Sequence, residues 1–244
     1  MSIAYLDGKF IALQEAALPL TDRGFLFGDG VFTTIFVENG EPIWLKDHLQ
    51  RVGEEAKRLH IEVAPILPAL IYELLKKNQL TGRERLKVII TGGDTPGLHL
   101  APRRGRVVLL LTPLLEEKQK TLQVGIFPLP NFLRAKTLSY LDRLVLREQA
   151  KSQGWDECIT TLEDGTLLET TTGNLFWRKN GELYTPDPKL PLYFGVALTK
   201  MIEKEKRVHY VHSNVDELEN VELYRINACG CSRLSLWLPR TSSL

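Results

Sequence analysis

Apolar runs at the start of the chain, IAYL and FIAL, flank Asp7-Gly8, and that dipeptide between them predicts a hairpin with a type I′ turn. Val31 to Val37 reads as a strand turned at Asn39-Gly40, with Pro42 to Leu45 beginning the return. From Asp47 the period changes. Leu49, Val52, Ala56 and Leu59 recur at three and four residues, the stripe of a helix buried on one face. A second helix is predicted from about Leu67 to Lys77, with Leu70, Ile71, Leu74 and Leu75 apolar. Two strands follow, Leu86 to Thr91 and Arg106 to Thr112, joined by a Gly- and Pro-rich loop, Gly92 to Arg104, long enough to be functional.

After Pro113 the charged run LLEEKQK reads as a linker, which divides the chain into domains over 1–114 and 121–244. A strand resumes at Leu122 to Phe127, followed by a loop and a helix with Leu138, Leu141 and Val145 on one face. Strands are predicted near Glu157 to Leu162, Leu167 to Thr170, Leu175 to Arg178 and Leu183 to Tyr184, with Asp164-Gly165 and Asn180-Gly181 as turns. A helix from about Val196 to Glu205 and a strand pair near Val208 and Leu223 end the readable pattern; the tail from Cys229 carries none. The class is α+β in two parts.

Composition narrows the function classes. With 31 Lys and Arg against 30 Asp and Glu, the net charge of +1 leaves no basic footprint for nucleic acid or an anionic membrane. No apolar run approaches the roughly 20 residues that span a bilayer, and Asp7, Gly8 and Lys9 interrupt the first apolar stretch, unlike a secretory segment. Three cysteines make no disulfide framework, so a reducing, cytoplasmic location is expected. The five histidines show no metal spacing, and Cys229 and Cys231 read as small apolar fillers rather than ligands, so no metal is expected. Glycine-loop nucleotide motifs and a serine-hydrolase elbow are absent.

A scattered set of polar residues remains. Lys136 stands among Phe132, Leu133 and Leu138, and a desolvated lysine is a Schiff-base nucleophile. Glu169 ends a short strand before the polar loop TTTGN, and Arg51 lies on the helix with Leu49 and Val52. Singly, each has an ordinary surface explanation.

Together, and in this order, the blocks TDRGFLFGDGVFTT, HLQR, KTLSYLDRLVLRE, ETTTGNLFWRKNGELYTP and INA resemble the fold-type IV pyridoxal-phosphate enzymes, the class IV aminotransferases and their lyase relatives. The resemblance implies a small N-terminal α/β domain, a larger C-terminal domain with a barrel-like core, and a homodimer. It implies pyridoxal 5'-phosphate as cofactor and Lys136 as the Schiff-base and proton-transfer residue. Glu169 would pair with the pyridine nitrogen, Arg51 with the phosphate and Tyr140 with the ring hydroxyl. If the turn after Lys136 is a regular helix, Lys136 and Tyr140 share its face. Backbone at Val196, Ala197, Asn227 and Ala228 would complete the phosphate cradle.

Within that family the nearest likeness is to the lyase branch that converts 4-amino-4-deoxychorismate to 4-aminobenzoate and pyruvate. Aminotransferases acting on D-amino acids or branched-chain amino acids are the alternative. Phe32, Thr34 and His99 are the implied substrate residues, with Thr33 a second candidate hydroxyl. The tyrosine and arginine of the D-amino-acid enzymes' carboxylate trap are Phe32 and Gly97 here. The substrate carboxylate is left without an assigned partner; Arg103, Arg104 and Lys46 are the nearby cations. Ser139, Ala197 and Ala228 replace the asparagine and hydroxyl residues usual at those places.

Overall fold

The structure is a computed structural model and describes residues 2–79, 82–94, 96–97, 102–114, 121–128 and 135–236. The chain forms two compact units. One holds the described residues up to Leu114 together with Ala135–Tyr140; the other holds residues 121–128 and everything described from Leu141 on. The six residues around Lys136 therefore group with the N-terminal unit, although the pattern along the chain puts them in the C-terminal one.

The first unit is built from β1 (Ile3–Leu6), β2 (Lys9–Ala12), α1 (Arg23–Phe27), β3 (Gly30–Glu38), β4 (Glu41–Pro42), α2 (Leu45–Arg58), β5 (Ile61–Glu62), α3 (Pro68–Asn78), β6 (Arg83–Thr91), β7 (Arg103–Arg104) and β8 (Arg106–Pro113). Asp7 and Gly8 both take positive φ, as the predicted β1–β2 hairpin requires, and so do Asn39 and Gly40 after β3. Six strands form an antiparallel sheet in the order β2-β1-β8-β6-β3-β4. Alternation along β3 puts Val31, Ile35 and Val37 on one face, where they pack with Leu86, Val88 and Ile90 of β6 and with Val52, Ala56, Ile71 and Leu74 of α2 and α3. Phe32, Thr34 and Phe36 take the opposite face.

The second unit contains β9 (Leu122–Pro128), α4 (Leu141–Ser152), β10 (Glu157–Thr161), β11 (Leu167–Thr170), β12 (Asn174–Lys179), β13 (Glu182–Pro186), α5 (Val196–Ile202), β14 (Val208–Val211), β15 (Glu222–Asn227) and β16 (Gly230–Leu236). Its strands run β11-β10-β9-β16-β15-β12-β13-β14, and a further β11–β12 pairing joins the first strand to the sixth. Six strands thus close into the expected barrel-like core, with Val124, Ile159, Leu167, Leu175, Trp177, Leu223 and Leu234 in one apolar cluster.

Three expectations change. The tail has a strand after all: β16 pairs with β15 on one side and β9 on the other, and without it the ring would be open. Cys231 lies exposed on that strand rather than filling a core; Cys158 is the buried cysteine. The helix after the loop begins at Leu141, so Leu138 is outside it and Lys136 and Tyr140 share no helical face. Residues 137 and 138 are instead paired to the start of β3, which uses the backbone groups a helix would need. The linker residues 115–120 and His99 lie outside the described residues. Among the described residues no helix is long and apolar enough to cross a membrane, and no group of metal-ligating side chains is found.

Two glycines of the GDG block have steric reasons. Gly28 caps α1 in the left-handed conformation, φ 65°, and its amide returns to the Arg23 and Gly24 carbonyls. A Cβ at Gly30 would run into the Ile90 carbonyl oxygen and come within 2.7 Å of Leu138 Cδ1. Gly30→Ala should therefore lower unfolding free energy by about 1–3 kcal/mol. A urea midpoint equal to the parent's would show that the strands have room for the methyl group.

Candidate active site

Lys136 is positioned by its backbone. The Phe32 amide donates to the Lys136 carbonyl at 2.9 Å, and the Leu138 amide donates to the Gly30 carbonyl at 2.9 Å. The Lys136 amide in turn donates to Oε2 of Glu55 at 3.2 Å, and Ser139 Oγ donates to the Gly28 carbonyl at 3.3 Å. The Lys136 ammonium then stands over the Phe32 ring, 5.0 Å from its centroid. Tyr140 meets the same ring edge-on at 5.4 Å. One pleat beyond Phe32 on β3 is Thr34, half-buried. Lys136, Tyr140, Phe32 and Thr34 are thus brought together within the first unit, without the helix that the spacing of Lys136 and Tyr140 suggested.

Beneath this group, α2 presents His48, Arg51, Val52 and Glu55 at helical spacing. Thr33, on the core face of β3, pairs its hydroxyl with His48 Nδ1 at 2.7 Å, so of the two threonines in the FTT stretch it is Thr33 that is structural. Burial lowers His48 to about 4, with the charges of Lys136 and Arg51 adding to the effect and Asp47 opposing it. Burial raises the Glu55 carboxyl to about 7, against the Lys136 amide and the neighbouring cations. The HLQR block carries His48 and Arg51; Glu55 is the residue the sequence reading missed, and its only signal was its place one and two turns along the same face.

The cations next to the Gly-rich loop have other partners. Asp29 takes Arg23 Nε on one carboxylate oxygen and Arg103 Nη2 on the other, both at 2.6 Å. Arg103 also donates to the Leu59 carbonyl at 2.7 Å and is fully buried at its side chain. It is structural and unavailable to a substrate. Arg104 and Lys46 are exposed.

In the second unit Glu169 is 3% exposed at the end of β11, not on a solvated turn. Its Oε1 accepts from Arg143 Nη2 at 2.6 Å and from the Tyr193 amide at 3.3 Å. Oε2 accepts no hydrogen bond among the described residues. Arg143 also donates to the carbonyls of Thr170 and Thr171. The loop after Glu169 is fixed from both sides: Asn174 Oδ1 accepts the Gly195 amide at 2.9 Å, and Asn227 Nδ2 donates to the Thr172 carbonyl at 3.0 Å. Gly195 caps α5 without a side chain, so the first-turn amides of Val196 and Ala197 precede any intrahelical acceptor. Asn227 ends β15 opposite Gly230, and its Oδ1 accepts the Cys229 amide, so its side chain is committed to the β15–β16 turn that Ala228 and Cys229 make.

These donor sets fit a pyridoxal phosphate. A buried carboxylate with one oxygen anchored and the other uncommitted suits a basic ring nitrogen. Taken separately, the uncapped α5 amides of the second unit suit a phosphate, as does Arg51 of the first, where an amine beside Tyr140 suits a carbonyl next to a ring hydroxyl.

Glu55 carries a pH signature. Between its ordinary value of 4.5 and about 7, the folded chain binds more protons at Glu55 than the unfolded chain does, so stability falls as pH rises through that window. His48 acts oppositely between about 4 and 6.5, where the unfolded chain binds the extra proton and stability rises with pH. Glu55→Gln removes only the first effect. Its stability relative to the parent should climb between about pH 5 and 7.5, by up to about 3 kcal/mol. Urea unfolding at several pH values measures this, and parallel curves would take Glu55 out of the titrating set.

The family model described as "Amino-transferase class IV" matches residues 30–234. A Methanocaldococcus jannaschii protein provisionally named a branched-chain-amino-acid aminotransferase is 31% identical over 215 residues, covering 83% of this chain and 74% of its own. The aminodeoxychorismate lyase of Bacillus subtilis is 28% identical over 216 residues, covering 84% and 74%. Among solved structures, a hypothetical aminotransferase from Mycobacterium tuberculosis in its PLP-bound form superposes with a TM-score of 0.82 at 20% identity, covering 99% of this chain and 94% of that one, a likeness of fold. The chain belongs to the class IV aminotransferase family of pyridoxal-phosphate-dependent enzymes.

Proposed function

We propose that this enzyme is a lyase that releases 4-aminobenzoate and pyruvate from 4-amino-4-deoxychorismate, with Lys136 as its reacting amine. The observation that carries the reading is the likeness to the Bacillus subtilis lyase over 84% of this chain, together with a substrate face in which Phe32 replaces a trap tyrosine and Arg103 is held by Asp29. The flat apolar ring of Phe32, edged by Tyr140, suits a cyclic substrate.

Bound pyridoxal phosphate supplies the electron sink for the pair left when a proton leaves the substrate carbon bearing nitrogen. Lys136 Nζ would carry the cofactor, be displaced by the substrate amine, and take that proton. Loss of the enolpyruvyl oxygen would then aromatise the ring, and Lys136 would return that proton to the departing group, directly or relayed through the Thr34 hydroxyl. Glu169, anchored through Oε1, would hold a proton on the ring nitrogen with Oε2. Tyr140 would donate to the ring hydroxyl, and Arg51 with the amides of Val196 and Ala197 and the backbone at Asn227 and Ala228 would hold the phosphate. Phe32 and Thr34 would line the substrate, joined by His99.

The Methanocaldococcus relative supports a second reading, transfer of the amino group to a keto acid. The partner assigned to the chain is a second copy. Leu20, Phe25, Leu26 and Phe27 are all more than 45% exposed around α1, a concentration of apolar surface that an isolated chain rarely shows. A cytoplasmic homodimer is the form to assay.

Purified protein loaded with pyridoxal phosphate and given enzymatically generated aminodeoxychorismate should release pyruvate and 4-aminobenzoate in equal amounts over many turnovers, without a keto acid. Turnover that requires a keto acid and returns its amino acid would establish the second reading instead. Lys136→Ala should abolish both turnover and the visible absorbance of lysine-bound cofactor. An unchanged visible spectrum in that variant would refute the assignment of Lys136.

A further inference from the structure

We propose that Glu55 ties cofactor loading to proton uptake: when a phosphate dianion settles on Arg51, a proton from solution joins the Glu55 carboxyl. The inference rests on Arg51 as the phosphate residue, as proposed above, and it concerns a buried carboxyl to which the reaction itself gives no part.

Glu55 lies one turn after Arg51 on α2, a spacing at which two Cβ atoms are about 6 Å apart. The residue is 2% exposed. Its Oε2 accepts the Lys136 amide at 3.2 Å, and its Oε1 accepts no hydrogen bond among the described residues. Arg51 and Arg58 of α2 and Lys136 of the segment held by β3 all act on it as cations. The strands under α2 meet it through the apolar cluster that includes Val31, Ile35, Ile61, Leu86 and Ile90. Among the charged groups of those strands, Glu62 of β5 is exposed, and Glu84 of β6 stands opposite Val37, about 20 Å along β3 from Val31. Arg103 of β7 reaches the Leu59 carbonyl at the end of α2 but is paired with Asp29.

Burial raises the Glu55 carboxyl to about 7 even with these cations beside it. A dianion on Arg51 offsets the charge that favours ionised Glu55 and adds like charge of its own, and both effects favour the neutral acid. A proton on Oε1 relieves the conflict and leaves Oε2 to accept the Lys136 amide as before. The seat of Lys136 is then the same in both states, while the charge beside the phosphate is not. The sign follows. Loading lifts the carboxyl above about 7, so from there upward the loaded chain binds more protons than the empty one. Phosphate affinity therefore falls as pH rises through that range. A phosphate ester loses its second proton near pH 6, at about the lower edge of this window, and His48, at about 4, titrates well below it.

The test loads the cofactor-free chain with pyridoxal 5'-phosphate and with pyridoxal, which lacks the phosphate, and follows the visible band between about pH 6.5 and about pH 9. The ratio of the two Kd values isolates the phosphate, because changes at the Lys136 amine are common to both. In the parent this phosphate advantage should shrink by about 10-fold from about pH 7 to about pH 9. Glu55→Gln keeps an acceptor for the Lys136 amide and the shape of the protonated acid, so its advantage should stay level. The two proteins should agree near pH 6.5 and part by about 10-fold near pH 9. In weakly buffered solution at about pH 8, the parent should take up more protons with pyridoxal phosphate than with pyridoxal, and Glu55→Gln should show no such difference. Arg51→Gln should remove most of the advantage. An advantage that is level with pH in the parent, or that falls equally in Glu55→Gln, would overturn the proposal and leave Arg51 in place. An advantage that survives Arg51→Gln would instead take Arg51 out of the phosphate site, and the proposal with it.

Discussion

The hydrogen bonds between the start of β3 and residues 136 and 138 are the constraint on which the first unit's site depends. About a hundred residues of sequence separate the two segments, and fixing one residue's backbone costs roughly 1–2 kcal/mol. Pairing Lys136 to Phe32 and Leu138 to Gly30 meets that cost in the fold, before any ligand arrives. The Lys136 amine then varies only through its side-chain torsions, over a ring that is itself 6% exposed. The same pairing explains Gly30, whose missing Cβ lets β6 and Leu138 approach together. It also explains Glu55, which accepts the Lys136 amide, a group of the segment that β3 does not take.

Charge placement follows from this arrangement. Asp29 holds two buried guanidinium groups, and a carboxylate so used stabilises the loop by keeping two cations compensated. Removing Asp29 would strand both, which is why neither Arg23 nor Arg103 can be lent to a substrate. The interior face of β3 is closed to solvent by α2, with Thr33 on His48. The opposite face carries Phe32 and Thr34 of β3 beside Lys87 and Ile89 of β6.

Most of the elements were legible because each depends on local rules. Turn dipeptides at Asp7-Gly8, Asn39-Gly40, Asp164-Gly165 and Asn180-Gly181 stand where the strands reverse, and the α2 stripe begins within two residues of its expected start. What was not legible depends on distant pairing. The pattern in residues 136–141 is equally that of a helix, and only β3 decides against it. Strand β16 carries polar residues on alternate positions and few apolar ones, so its membership in the barrel is fixed by β15 and β9 rather than by its own sequence. For the proposed site, Lys136, Arg51, Tyr140 and Glu169 were nominated through the ordered family blocks. Arg143 and Glu55 were not, because a charged residue on a helix looks solvated until its neighbours are known.

Arg143 shows why that knowledge matters. A carboxylate buried as deeply as Glu169 needs compensation, and an isolated one would be costly even before a ligand was considered. Arg143 and the Tyr193 amide supply it at Oε1 alone. The two oxygens are thereby divided, one holding the side chain in a fixed rotamer and the other left with its lone pairs for a donor. Arg143 is itself tied to the carbonyls of Thr170 and Thr171, so the ion pair is rigid with respect to the strand that carries Glu169. A preoriented acceptor costs nothing to organise when its donor arrives, and this is the same economy that the backbone pairing gives Lys136 in the other unit.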